Sequence, residues 1–154
     1  MEVMVFVGIQ GSGKSTFYRD RFAGTHVHVS MDNFRNARRP RLKQMTLIEE
    51  SLLQGLSVVV DNTDPTVEDR APIIAMAKAH GATVTAYHFD SPLADCLERN
   101  GRRTGRANVP KVAILATIGR LKPPTRDEGF DRITVVRLVR TGEGIFEYLE
   151  ESVP

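Results

Sequence analysis

Residues Gly8-Ile9-Gln10-Gly11-Ser12-Gly13-Lys14-Ser15 stand between a continuous apolar run, Val3–Val7, and a segment of helical character that begins at Lys14. The octet satisfies G-x-x-x-x-G-K-[ST], and a buried strand feeding a helix is the setting in which that pattern shapes a phosphate-binding turn. Glycines let the backbone wrap closely around phosphate oxygens, with its N–H groups turned towards them. Lys14 brings a positive charge to the outer phosphates, and the Ser15 hydroxyl is a hard oxygen ligand suited to Mg²⁺. Thr16 continues into the helix, whose N-terminus favours anions. Gly8, Gln10, Gly11, Ser12, Gly13, Lys14, Ser15 and Thr16 are therefore the expected nucleotide contacts, with Lys14 also catalytic because its charge serves the transferred phosphate.

The rest of the chain alternates strand and helix patterns. Strands are expected at Val3–Val7, His26–Ser30, Ser57–Val60, Thr83–Phe89 and Ile133–Val139. Helices are expected at Lys14–Phe22, Leu42–Leu53 and Val67–Ala79, from Pro92 towards Arg99, from Pro110 towards Leu121, and weakly at Ile145–Ser152. Such alternation predicts a three-layer α/β domain with a mainly parallel five-stranded sheet. At 154 residues, 41% of them hydrophobic and 26% charged, the chain is expected to be a single domain spanning 1–154. Its one cysteine cannot form an internal disulfide. With no signal-peptide pattern and no apolar run of membrane-spanning length, a reducing cytoplasm is the expected compartment and no membrane the expected partner.

The net charge of +2 conceals a segregation. Residues 35–43 hold Arg35, Arg38, Arg39, Arg41 and Lys43 without an acid, and residues 99–111 hold Arg99, Arg102, Arg103, Arg106 and Lys111, again without one. Apart from those ten, the chain carries 11 basic against 19 acidic side chains. Two basic islands on an acidic body point to anions handled at particular places.

In open α/β sheets, ligands bind at the carboxyl ends of the strands. A nucleotide-driven motor needs a longer chain, and a guanine-specific switch needs an Asn-Lys-x-Asp tetrapeptide that this sequence lacks. A small ATP-dependent kinase is the remaining expectation. Past the second strand, Asp32 can orient an acceptor hydroxyl and take its proton, or it can cap a short helix; spacing alone leaves both open. Arg35, three residues on, can bind an anionic group of the acceptor. Asp61, ending the third strand beside the phosphate turn, resembles a Walker B acid holding Mg²⁺. Asn62, Thr63 and Asp64 can hydrogen-bond the Asp32 region or cap the next helix, and capping is the favoured reading for Asp64 and Thr66. The basic, glycine-interrupted stretch of about 99–110 fits a lid closing on the transferring phosphoryl group. The four histidines show no metal-ligand spacing and receive no catalytic role; Cys96 reads as a packing residue.

Taken in order, these residues resemble the 5′-polynucleotide kinase family within the small P-loop kinases. The motifs are the octet, Asp32-x-x-Arg35, Asp61-Asn62-Thr63-Asp64, Arg99-Asn100-x-Arg102-Arg103, Val109-Pro110 and Glu128-Gly129-Phe130-Asp131. The resemblance implies that Asp32 is the general base and that Arg35 grips a phosphate of a nucleic-acid acceptor. Arg103 would act on the transferring phosphate, with Arg99 and Arg102 on the ATP side. Asp64 departs from the asparagine often found there. Related phage kinases that phosphorylate hydroxymethylated pyrimidines within DNA look similar in these motifs, so a phage-encoded protein acting in the host cytoplasm is compatible with the pattern.

The expected activity is thus Mg²⁺-ATP-dependent phosphoryl transfer to a hydroxyl on DNA or RNA, foremost a 5′-OH end. Arg38, Arg39, Asn62 and Thr63 join Asp32 and Arg35 as expected substrate contacts. Phosphate contacts supply much of nucleic-acid affinity, and only Phe34 offers an aromatic face in the first basic stretch, so little base preference is expected. A 5-hydroxymethylpyrimidine base in DNA, or a small sugar, nucleoside or antibiotic, is the competing acceptor.

Overall fold

The first apolar run forms β1 (Glu2–Val7), and its alternation divides the molecule into layers. Val3, Val5 and Val7 enter one core cluster, whereas Met4 and Phe6 enter another. Successive side chains of a strand point to opposite faces, so a run that is apolar at every position from Val3 to Val7 must be covered on both. The computed structural model, which describes residues 1–142 and 146–154, supplies both covers. On one face, α2 (Pro40–Leu53) contributes Ile48 and Leu52, and α3 (Val67–Ala79) contributes Ile73, Ile74 and Ala77. On the other, α1 (Lys14–Arg21) sets Phe17 against Phe6 and Phe89, with ring centroids 6.0 and 5.3 Å away. Edge-to-face ring pairs of this kind contribute roughly 0.5–1.5 kcal/mol beyond their buried area. They lock α1, and with it the phosphate turn, to the sheet.

The sheet has six strands in the order β2-β3-β1-β4-β5-β6, with β2 (Val27–Val29), β3 (Val58–Asp61), β4 (Thr83–Phe89), β5 (Arg132–Arg140) and β6 (Phe146–Ser152) around β1. The first five strands in sequence run parallel, so β1, β2, β3 and β4 deliver their carboxyl ends to one edge. Strands β2 and β3 lie on one side of β1 and β4 on the other, which makes the end of β1 the switch point where a crevice opens. Two more helices, α4 (Leu93–Gly101) and α5 (Lys111–Arg120), pack Cys96 and Ile114 against Ile9 beside that crevice.

Most expected elements are present within two residues of their predicted limits. The C-terminal one is a correction: Glu147–Ser152 belongs to a sixth strand, antiparallel to β5, rather than to a helix, and Ile145 lies outside the described residues. Acids at 147, 150 and 151 mimic helical spacing, but the alternation around Tyr148 and Leu149 has period two. Tyr148 packs into the aromatic layer 5.0 Å from the Phe17 ring, while Leu149 remains 55% exposed. Ladder bonds to β5 and this ring contact outweigh a weak local helix preference.

Candidate active site

The phosphate turn is a backbone shape that only glycine accepts at two points. Gly11 has φ +80°, and a Cβ there would stand 2.4 Å from the Cys96 carbonyl oxygen; Gly13 has φ +95°. Four neighbours hold the turn. Gly8 N–H donates to the Thr63 carbonyl at 3.0 Å, Gln10 Nε2 to Thr117 Oγ1 at 3.3 Å, Arg99 Nε to the Gly11 carbonyl at 2.6 Å and Tyr148 Oη to the Gly13 carbonyl at 3.0 Å. Gly13 is the N-cap of α1 and supplies no side chain to its first N–H groups, which leaves them for an anion.

Lys14 crosses this turn, donating from Nζ to the Gly8 carbonyl at 2.9 Å, the Ile9 carbonyl at 2.8 Å and Ser12 Oγ at 3.4 Å. Burial pushes its ammonium from the ordinary lysine range down to about 8; Arg103 adds to the fall, while Asp61, Cys96 and Asp64 oppose it. A buried cation held only by neutral oxygens is matched to a polyanion. Thr16, by contrast, is exposed, and its hydroxyl accepts from Arg19 at 3.1 Å.

Beside Lys14, Ser15 Oγ donates to Asp61 Oδ2 at 2.8 Å. Asp61 ends β3 with its side chain 3% exposed, and His28 Nε2 meets the same oxygen at 2.8 Å. A hydroxyl and a carboxylate are hard oxygen donors of the kind Mg²⁺ takes alongside phosphates. No cluster of three His, Cys, Asp or Glu side chains suited to a metal occurs among the described residues. The donor set therefore fits a Mg²⁺ shared with a nucleotide better than a self-sufficient metal cage.

After β2 the chain makes a 3-10 turn at Met31–Phe34 whose cap is Ser30, with Oγ accepting from the Asp32 N–H at 3.3 Å. The Asp32 carboxylate is thus not spent on capping; it is 76% exposed and lies 3.3 Å from Arg35. Asn62 steadies the turn, accepting from Met31 N–H at 2.9 Å while donating to Gln44 Oε1 at 2.6 Å.

Two cavities meet here. One, of about 430 Å³, lies over the phosphate turn and is bounded by Lys14, Ser15, Asp61, Asn62, Thr63 and Arg103. The other, of about 530 Å³, is bounded by Asn33, Phe34, Asn36 and Lys43, and both share Asp32, Arg35 and Arg106. Of the predicted lid, Arg103 therefore reaches the site. Arg102 instead pairs with Glu98, and Arg99 braces the turn from outside the larger cavities. Arg38 and Arg39 are exposed and border neither cavity, while Arg41 pairs with Asp69 at 3.1 Å. Sequence reasoning passed over Arg106 and Lys43 as individual contacts because only the fold shows which members of a basic run face inward. Asn100, present in the Arg99-Asn100-x-Arg102-Arg103 motif but given no role of its own, clasps both backbone groups of Val109 with its amide, at 2.7 and 2.9 Å, and so pins the two ends of the lid loop.

Asp64 is a further correction. Thr66, with Asp69, forms the capping box of α3, whereas Asp64 is buried at φ +39° with Oδ2 lacking a hydrogen-bond partner. Burial pushes its carboxyl up to about 8; Asp69 adds to the rise and Lys14, Arg70 and Arg41 oppose it. Arg70, fully buried, donates to the Asp64 and Lys122 carbonyls, each at 3.0 Å, and pairs with Glu128 at 2.8 Å. The Glu128-to-Asp131 motif is thus structural: Glu128 holds Arg70, and Asp131 Oδ2 accepts from Val84 N–H at 2.8 Å.

Residues 3–124 match the family model described as the AAA domain. A protein of Acanthamoeba polyphaga mimivirus named for polynucleotide phosphatase and kinase activities is 32% identical over 142 residues. The bifunctional polynucleotide phosphatase/kinase of Schizosaccharomyces pombe is 29% identical over 139 residues. Each match covers 88% of this chain but 33% of the relative, so the chain spans about a third of the length of these curated relatives. A crystal structure of a fungal RNA kinase has the same fold, with TM-score 0.69 at 15% identity over 94% of this chain and 77% of that one. Sequence match, strand order and the loop around Lys14 agree: the chain belongs to the AAA domain family, with the α/β fold of the P-loop kinases.

Proposed function

We propose that the protein is a Mg²⁺-ATP-dependent kinase that transfers the γ-phosphoryl group to a hydroxyl on nucleic acid, foremost a polynucleotide 5′-OH end. The observation that carries this reading is the sharing of Asp32, Arg35 and Arg106 by a cavity over the phosphate turn and a cavity rimmed by basic side chains. Two anionic substrates that must meet at one carboxylate need such an arrangement. The names of the mimivirus, yeast and fungal proteins support a polynucleotide as the acceptor.

In this reading Lys14 and the open N–H groups of α1 bind the phosphates, and Ser15 and Asp61 hold Mg²⁺. Asp32 accepts the proton of the attacking hydroxyl as its oxygen bonds to the γ-phosphorus and ADP leaves. Arg35, Lys43 and Arg106 hold the acceptor's phosphates, and Arg103 spreads the charge of the transferring group. ATP would supply the phosphoryl group and a bound Mg²⁺ would offset part of its charge; the side chains contribute position, one proton acceptor and the positive charge of Arg103.

The test is one panel with γ-labelled ATP, comparing 5′-OH DNA, 5′-OH RNA, end-blocked DNA containing 5-hydroxymethyluracil, and small alcohols including sugars and nucleosides. Label on the 5′-OH polymers supports the reading. Label confined to the blocked, modified DNA moves the acceptor to a base, and label only on the small alcohols removes nucleic acid as substrate.

A further inference from the structure

We infer that His28 is a positioning residue for the metal-holding pair Ser15 and Asp61, fixing how the Asp61 carboxylate presents itself to Mg²⁺; this rests on the nucleotide-kinase reading above. His28 Nε2 and Ser15 Oγ meet the same oxygen, Asp61 Oδ2, each at 2.8 Å. A carboxylate oxygen only accepts, so Nε2 carries the hydrogen. Two donors on one oxygen of a side chain only 3% exposed prevent the carboxylate from rotating without breaking both bonds. Neither donor engages the other oxygen, Oδ1.

The imidazole is itself held. The Tyr18 ring stacks on it at 4.2 Å with 21° between planes, and Tyr18 Oη donates to the His26 carbonyl at 2.8 Å. Ser15 and Tyr18 sit on α1, His28 on β2 and Asp61 at the end of β3, so these contacts join three separate elements around one carboxylate. Outer partners that orient a ligating carboxylate typically change metal affinity about 10- to 100-fold when removed. If His28 served only to pack against Tyr18, the identity of the atom facing Asp61 would not matter. The two roles therefore make different predictions.

The experiment is calorimetric titration of the non-hydrolysable ATP analogue AMPPNP, in MgCl₂ or in EDTA, into wild type, His28→Ala, His28→Gln and His28→Asn. His28→Ala is expected to lose roughly tenfold of the Mg²⁺-dependent gain in affinity, with its affinity in EDTA within about twofold of wild type. His28→Gln, whose amide nitrogen can reach the position of Nε2, should keep most of the gain; the shorter His28→Asn should behave like His28→Ala. An undiminished gain in His28→Ala, or an equal loss with and without Mg²⁺, overturns the inference. If His28→Ala does not fold, equal gains in the glutamine and asparagine variants overturn it. A wild type with no Mg²⁺ gain overturns the kinase reading itself, and the role of His28 with it.

Discussion

Asp32 Oδ1 lies 3.3 Å from Arg35 Nη2, at the boundary shared by the two cavities. With Ser30 as the cap of the turn, the carboxylate is not spent on the backbone and stays open to an incoming hydroxyl. Asp32→Asn keeps the shape and removes the proton acceptor. Turnover should fall by about 10²–10⁴, with AMPPNP affinity within twofold of wild type. Steady-state kinetics beside calorimetry check this; wild-type turnover would remove Asp32 as the base.

Lys14, pushed down to about 8 by burial, should couple nucleotide binding to protons. The free protein loses the Lys14 proton as pH rises through 8, and bound phosphates favour the ammonium form. Affinity should therefore decline above pH 8, and binding at pH 8–9 should take up a fraction of a proton. Titrations in buffers of different ionisation enthalpy measure the uptake. In Lys14→Met the uptake should vanish along with most of the affinity.

Asp64 supplies a stability test. Its folded carboxyl is raised from 3.8 to about 8, so between those values the folded state holds a proton that the unfolded chain has released. Its contribution therefore weakens as pH rises through that window and is least favourable above pH 8. Asparagine is nearly isosteric, tolerates the left-handed backbone at φ +39° and has no charge to bury. Asp64→Asn should melt about 2–8 °C above wild type at pH 8, with the difference shrinking towards pH 5. Parallel melting curves at both pH values decide it.

Within the basic loops the fold separates inward from outward charges. Lys43 and Arg106 border the larger cavity, whereas Arg38 and Arg39 do not. The double variant Lys43→Ala/Arg106→Ala should raise the acceptor KM several-fold and lower its log–log salt slope by about 1–2. Arg38→Ala/Arg39→Ala should do markedly less. Equal effects would mean that the acceptor follows the outer surface.

Tyr148 reaches the phosphate turn from the last strand, and its hydroxyl donates to Gly13 at 3.0 Å. Tyr148→Phe keeps the ring on Phe17 and loses that bond. It should weaken AMPPNP binding several-fold and lower stability by about 1 kcal/mol. Tyr148→Ala also removes the ring contact and should destabilise more, by roughly 3 kcal/mol or more. Denaturant melts of both variants separate the two contributions.

The readable parts of this protein were those whose chemistry is local in the chain. The octet from Gly8 to Ser15, the apolar run of β1 and the capping role of Thr66 each carry their instruction within a few residues. The strand at Phe146–Ser152 was not readable in that way, because its stability comes from pairing with β5 and from a ring 131 positions away in sequence, Phe17 against Tyr148. Arg102 and Arg103 are adjacent in the chain, yet one turns to Glu98 and the other to the phosphate side.

By itself, the sequence determined that a phosphate-binding turn would follow the first strand of a parallel α/β sheet, and that acids and arginines would crowd the neighbouring strand ends. Those features depend on residue type and short spacing. The tertiary structure alone decided that His28 would share an oxygen of Asp61 with Ser15, that Asp64 would be buried with an unpartnered oxygen, and that Arg106 rather than Arg38 would face the second cavity. Those outcomes depend on which side chains the order of strands brings within hydrogen-bonding distance and which it removes from water. A charge acquires its role from that surrounding dielectric and its partners, neither of which is encoded at its own position.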